Sequence, residues 1–173
     1  ESGELHLGIG LLRSLQAETH QFGSFPLPSI EFLAAGHASV PLGSAGSIEV
    51  ANLSRFPLLL LTPSFEVRKS FDDACRVAEL KPRIFMESRL SHTLLALAES
   101  GHGVAIGPST LPVDRYRLRV SRVVHQGKPL REPLAVMWNR HRALPRYARD
   151  FCELLDAYMR EVFPNLHAPA GMP

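Results

Sequence analysis

The chain has 173 residues, of which 45% are hydrophobic and 21% are charged, and its formal net charge is +2. This composition is that of an ordinary globular domain and argues against a disordered or fibrous chain. No apolar run approaches the roughly 18 residues that a membrane-spanning helix needs, and no signal-like leader opens the chain, so we expect a cytoplasmic protein without a membrane partner.

Charge and cysteine usage exclude further classes of protein. The basic residues are mostly arginines spread along the sequence, so this chain itself is not expected to bind nucleic acid. Cys75 and Cys152 both lie on apolar faces of predicted helices, which predicts buried free thiols and no disulfide framework. The eight histidines show no spacing typical of a zinc site, so neither a metal nor a cofactor is expected.

The sequence of the first third of the chain predicts short secondary-structure elements separated by segments rich in glycine and proline. They are a strand at 3–10, a connector at 11–29, a strand at 30–35 and a loop at 36–46. The connector is predicted because Gly23, Pro26 and Pro28 interrupt any periodic pattern. Ser47 is then expected to cap a short helix that reaches about Ser54.

A buried strand is predicted at Leu58–Leu61, because four leucines stand between Pro57 and Pro63. Helical spacing of apolar residues follows over 64–78, with charged residues on the other face. Arg68 belongs to that charged face. A solvated side chain is favoured for it over a role in pairing with a ligand carboxylate.

The segment LSHTLLALAESGHGVAIGPSTL, residues 90–111, predicts an amphipathic helix that leads into a buried strand. Leucines recur on one helix face, and Gly101 supplies the left-handed residue that favours helix termination. Residues 103–107 form a short apolar run between glycines, and Pro108 ends it beside Ser109.

The remaining predicted elements are strands at 83–86, 118–124 and 133–138, a helix at 145–163 that ends at Pro164, and a disordered tail at 167–173. Strands that alternate with helices at these lengths indicate an α/β fold built from βαβ units with a largely parallel sheet. In such a sheet, ligands bind outside the carboxyl ends of the strands.

Two loops at strand ends are the candidate binding site. The first holds Thr62, Ser64 and Phe65, and the second holds Ser88, Ser91 and His92, with Ser109 expected to approach from the turn after the next strand. Each of the two loops runs into a helix, whose free N–H groups and dipole favour an anion such as a small carboxylate.

Each candidate also has an ordinary structural role to weigh. Ser64 and Thr62 could simply cap the following helix, and Ser88 or Ser91 could cap the next one. His92 could make an ordinary backbone contact at the helix start, and Ser109 could stabilise its own turn.

These segments together resemble the effector-binding domain of LysR-type bacterial transcription regulators. Residues 90–111 resemble the family's glycine-rich helix and strand element, and GELHLGIG at 3–10 resembles its GELDLAI strand. Three further segments are similar in the family's order, namely LLLLTPSFEVRKSFDDACR at 58–76, PRIFME at 82–87 and LAVMWNRHRALPRYARDF at 134–151. His6 departs from the family's usual aspartate, so the resemblance does not specify the effector.

The resemblance implies periplasmic-binding-protein-like lobes, with mixed, mostly parallel sheets flanked by helices. Residues 25–125 would form the second lobe, and 1–24 with 126–173 an incomplete first lobe. It implies a small, anionic effector bound between lobes, a homo-oligomer (a dimer or tetramer), and DNA binding through a helix-turn-helix that this chain lacks.

Two alternatives from other classes stay open. A solute-binding protein of a transporter would share the lobe architecture, and it would need an export signal upstream. An enzyme is not favoured, because no motif supplies an activated nucleophile or a matched acid and base.

Overall fold

The computed structural model describes residues 6–15 and 21–163, and the chain divides into two compact units. Unit 1 consists of Glu1–Ile30 together with Glu132–Pro173, and unit 2 is the continuous stretch Glu31–Arg131. The boundaries expected from the sequence, at 24/25 and 125/126, lie a few residues earlier.

Nine strands and three α-helices occur in the described residues. The strands are β1 Gly8–Leu11, β2 Phe22–His37, β3 Ser47–Glu49, β4 Leu58–Leu61, β5 Ile84–Ser88, β6 Val104–Pro108, β7 Leu118–His125, β8 Lys128–Pro129 and β9 Arg131–Asn139; the helices are α1 Glu66–Val77, α2 Ser91–Glu99 and α3 Arg146–Val162. α3, the longest helix, has 17 residues and carries many charges, so no described helix has the length and hydropathy of a membrane span.

Unit 1 is built around β9, which pairs antiparallel with β1 and has the first part of β2 on its other side. α3 completes this unit and buries Ala148, Cys152 and Met159. Residues 3–5 of the predicted first strand and the predicted tail at 167–173 lie outside the described residues.

The connector predicted over 11–29 is wrong over residues 22–29, because these belong to β2, a strand of 16 residues. Pro26 and Pro28 stand two residues apart, so their nitrogens face the same edge of the strand. Just outside the two strands, the Arg140 N–H donates to the Gln21 carbonyl at 2.8 Å. Proline is tolerated in a strand where the edge that it faces needs no N–H donor, so two prolines that face the same edge are compatible with β2.

The predicted cap at Ser47 is also wrong. Ser47 lies in β3, which pairs parallel with β7, and its hydroxyl donates to the Ser44 carbonyl at 3.3 Å. The helix that follows is a 3-10 helix at Val50–Arg55, with Glu49 before it. Ile48 and Val50 are both buried, so pairing and burial of this segment outweigh the capping preference of a serine.

Unit 2 is a mixed sheet with a helix on each face. The strand order is β2, β6, β4, β5, with β7 beside β2. β4 runs parallel to β5 and β6, whereas β2 runs antiparallel to β6 and β7. This α/β architecture, with a mixed sheet flanked by helices, confirms the predicted fold class.

The four leucines of β4 are all buried because successive side chains enter opposite layers. Leu58 and Leu60 belong to an α1-side cluster with Phe71 and Cys75 of α1. The other two leucines belong to an α2-side cluster, whose buried members are Ala35, Leu59, Leu61, Leu94, Leu95, Ala98 and Ala105. The loops that follow β4 and β5 are therefore supported by a core on both faces.

Both cysteines are buried free thiols, as predicted. Burial raises the pKa of the Cys75 thiol to about 12, with the nearby Asp72 carboxylate adding to the effect. Burial also raises the pKa of Cys152. At neutral pH both thiols are therefore protonated, and neither is an activated nucleophile.

Candidate functional site

The two predicted loops lie side by side at the carboxyl ends of β4 and β5. Leu61 pairs with Ser88 in the parallel ladder. The ladder continues one step further, because the Thr62 N–H donates to the Ser88 carbonyl at 3.2 Å. The structure therefore brings Thr62 and Ser88 together at the ends of neighbouring strands, an adjacency that the sequence did not specify.

The hydroxyls of Thr62 and Ser64 bond to each other, with 3.0 Å between Oγ1 and Oγ. α1 begins after Phe65, and no side chain makes a capping hydrogen bond there. The capping role that competed with binding is therefore not the one these hydroxyls adopt. Ser64 is exposed and Thr62 is half-buried, so the pair forms a polar feature at the surface of the first loop.

Phe65 fixes the shape of the first loop. Its N–H donates to the Thr62 carbonyl at 3.1 Å, and its own carbonyl accepts the N–H groups of Arg68 and Lys69. The half-buried ring packs against the α2-side cluster. Phe65 thus holds the loop onto the sheet, and a part of its ring stays accessible.

In the second loop, the Ser88 hydroxyl accepts the Leu90 N–H at 3.0 Å. α2 starts at Ser91, after Leu90, and its first turn has no side-chain cap. Ser88 therefore shapes the approach to the helix, and the half-buried Ser91 makes no capping bond.

His92 lies exposed on the first turn of α2, with Nδ1 3.0 Å from the hydroxyl of Tyr116. The same hydroxyl lies 3.5 Å from the His92 carbonyl. Tyr116 was not singled out by the sequence analysis, and no local pattern marks it, since 24 residues separate it from His92. The pair attaches the segment after β6 to the start of α2.

Arg68 is not solvated, and the prediction for it was wrong. Its side chain is only 6% exposed, and Nη1 donates to the Leu61 carbonyl and to Glu87 Oε1, both at 2.6 Å. Nε donates to Asp72 Oδ1 at 2.8 Å. Burial by itself would lower the pKa of Arg68, but these two carboxylates outweigh it and the pKa is raised. Arg68 therefore joins α1 to the ends of β4 and β5 and is not available to a ligand.

Ser109 does not stabilise its own turn. Its hydroxyl accepts the Glu31 N–H at 3.1 Å, and its N–H donates to the Glu31 carbonyl at 2.7 Å. These bonds extend the β2 and β6 pairing by one residue on each strand. Ser109 is thus placed beside β2, and no bond joins it to the loops after β4 and β5 in the described part of the chain.

A small depression lies behind the first loop on the α1 side. Its empty volume is about 190 Å³, counting the space open to solvent, and it is lined mostly by apolar side chains, namely Phe32, Leu60, Leu61, Val67, Phe71 and Ile106, together with Arg68. Typical metabolite pockets have roughly 300–1,000 Å³. This depression lies below that range and has an apolar lining, so it is not the candidate site for an anion. In residues 6–15 and 21–163, no three His, Cys, Asp or Glu side chains are grouped to hold a metal.

The arrangement in unit 2 is that of a small-molecule-binding α/β domain, with hydroxyls and helix starts at the carboxyl ends of parallel strands. The chain belongs to the LysR family, because residues 1–160 match the LysR substrate binding domain. This finding confirms the resemblance seen in the sequence.

A curated relative, the HTH-type transcriptional regulator BsdA of Bacillus subtilis (strain 168), is 30% identical over 142 residues. The match covers 81% of this chain and 48% of BsdA, so the chain spans about half the length of that relative.

Solved structures show the same fold. The C-terminal domain of a probable LysR family regulator from Rhodococcus sp. RHA1 has a TM-score of 0.73 at 24% identity, covering 88% of this chain and 75% of that one. The regulatory domain of CcmR from Synechocystis PCC6803, solved in complex with 2-PG, has a TM-score of 0.72 at 15% identity, covering 95% of this chain and 76% of that one.

Proposed function

We propose that this chain is the effector-sensing part of a LysR-type transcription regulator, and that it binds a small anionic metabolite at the loops after β4 and β5. The family match and the relative BsdA support a regulator over a transporter's solute-binding protein. The observation that carries the binding site is the Thr62 N–H to Ser88 carbonyl bond, which brings the two helix starts and their hydroxyls together.

The proposed action is a shift between conformations, without chemical turnover. A ligand that prefers one conformation of the regulator stabilises it by its differential affinity, and the coupled DNA-binding units respond. In this proposal unit 2 is the second lobe and unit 1 belongs to the first lobe. The DNA-binding helix-turn-helix is contributed by a further domain, and the protein acts in the cytoplasm.

The binding proposal is tested by replacing both loop hydroxyls. In the full-length protein, a suitable small carboxylate from an aliphatic and aromatic panel should raise the melting temperature by about 5–10 °C at roughly hundredfold excess over its Kd. The Thr62→Val and Ser64→Ala double variant should lose that gain, because it removes both hydroxyl donors.

Ser100→Ala is the matched control, since it removes an exposed hydroxyl that, among the described residues, bonds only to the Ala96 carbonyl of its own helix. It should keep the full gain. An equal melting-temperature gain in the wild type and the double variant would place the ligand elsewhere.

The oligomer proposed for this regulator would use β5. Among the described strands of unit 2, β5 is an edge strand of the sheet. Its side chains Ile84, Phe85 and Met86 are exposed, and Phe85 is 58% exposed. An edge strand that carries exposed apolar side chains is a surface suited to pairing with a second copy. We propose that this edge contributes to a contact between copies of the chain.

Phe85→Glu should therefore shift the protein toward a smaller species in sedimentation velocity over a concentration series. A charge placed in an apolar contact opposes association, because it must be desolvated. Leu154→Glu, a similar change at a residue of α3 that is 69% exposed, is the control and should leave the distribution unchanged. A purely monomeric wild type, or equal effects of both variants, would contradict a role of β5.

A further inference from the structure

A buried carboxylate in unit 2 holds two arginines from different strands. Glu31 of β2 is 2% exposed, and its Oε1 lies 2.9 Å from Nε of Arg131. Its other oxygen, Oε2, lies 3.2 Å from Nε of Arg122 in β7. One carboxylate thus holds two guanidinium groups, one at each of its oxygens.

The two guanidinium groups keep most of their hydrogen-bonding capacity. A guanidinium has five N–H donors, and the contacts to Glu31 are made through Nε of each arginine. Within the described residues, the terminal nitrogens of Arg122 and Arg131 have no other acceptor. The two side chains are 42% and 40% exposed, so these donors are accessible from solvent.

The backbone around this arginine pair is fixed. Ser109 bonds to both the N–H and the carbonyl of Glu31. On the other side of β2, the Phe32 N–H donates to the Leu130 carbonyl at 3.1 Å. In β7, the Arg122 N–H donates to the Gly46 carbonyl at 2.9 Å. The residues that carry the two guanidinium groups are therefore held before any ligand arrives, which lowers the entropy cost of binding.

We propose that Arg122 and Arg131 form a binding site for a small oxyanion, a phosphate or a carboxylate. Planar guanidinium groups match the oxygens of both anions, and two of them share a single carboxylate counter-charge here. A simple structural ion pair would be satisfied by one arginine in a two-bond contact with Glu31. This site is separate from the hydroxyl loops of the proposed function, so either can fail without the other.

The test uses inorganic phosphate as the probe, with acetate in a parallel series, in isothermal titration calorimetry at low ionic strength. Saturable binding at one site per chain is expected. Arg122→Gln and Arg131→Gln should each weaken it by about tenfold, because each removes charge-assisted hydrogen bonds. Saturation by phosphate alone would define a phosphate site, and acetate saturation that Arg122→Gln weakens would define a site for carboxylates.

Arg119→Gln is the matched control, since Arg119 is an exposed arginine of the same strand at a position of opposite parity. It should bind phosphate within about twofold of the wild type, because distant exposed charges are screened. Equal losses in Arg119→Gln and Arg122→Gln, or no saturable binding to the wild type, would overturn the proposal.

Arg122→Lys keeps a positive charge beside Glu31 and so protects the fold, but it lacks the planar fork. It should remain folded by circular dichroism and still bind phosphate more weakly, and unchanged affinity would count against the site. Any part of the phosphate binding that the Thr62→Val and Ser64→Ala double variant loses belongs to the proposed effector loops, and the part that it keeps belongs to the arginine site. This comparison separates the two sites.

Discussion

Replacing Arg68 with alanine should lower the free energy of unfolding by about 3 kcal/mol, because it removes the donor that satisfies a buried carbonyl and leaves a void where the side chain packed. Nη1 of this arginine bonds to the carbonyl of Leu61, a residue that is itself 8% exposed. The ion pairs contribute less, since the carboxylates of Asp72 and Glu87 are 42% and 38% exposed. Urea unfolding followed by circular dichroism measures the change.

Lys69→Ala is the control for this measurement. Lys69 is the neighbour of Arg68 on α1, but its side chain is 55% exposed, and in the part of the chain that the structure describes it pairs only with Glu66. Its loss should cost less than about 0.5 kcal/mol. Similar effects of the two alanine variants would show that the bond to Leu61 does not stabilise the chain.

Gly103→Ala should also destabilise the protein by about 3 kcal/mol, because the added methyl group has no space between two strands. A Cβ at this position would lie 2.5 Å from the Pro57 carbonyl oxygen. That oxygen cannot move away freely, since it accepts the Val104 N–H at 2.9 Å where β4 and β6 pair. Thermal and urea unfolding should both report the loss.

Gly8→Ala provides the comparison, since a Cβ at Gly8 meets no atom within 4 Å. It should change the unfolding free energy by less than about 0.5 kcal/mol. If Gly103→Ala were as stable as Gly8→Ala, the close approach of Pro57 and Gly103 would not hold in solution.

Sequence patterns that involve only neighbouring residues predicted the corresponding strand and helix end correctly. The leucines of β4 are flanked by prolines and form a fully buried strand, and Gly101 ends the α2 region with a φ of +82°. In both cases the physical cause is local, either steric or a matter of short-range periodicity. The prolines of β2 did not predict a strand, because the cost of a proline depends on whether the strand edge that it faces needs an N–H donor, and this follows from pairing between distant residues.

The candidate site was predictable only in part, because its contacts join distant residues. The sequence placed Thr62 and Ser88 each at the carboxyl end of a strand, but it did not show that these two strands are neighbours. It could not show that Arg68 turns inward to the Leu61 carbonyl, because a charged residue on a polar helix face has the same local pattern whether it is solvated or paired. Ser109 and Glu31 are 78 residues apart, and no local signal connects them.

The division of the chain also has a consequence for its synthesis. Unit 2 is one uninterrupted segment, whereas unit 1 needs both ends of the chain. On the ribosome, all of Glu31–Arg131 is made before α3 and the rest of β9, so every residue of unit 2 is present while the central strand of unit 1 is still incomplete. Nascent-chain proteolysis should therefore detect protection of unit 2 first, since domains fold as units during translation.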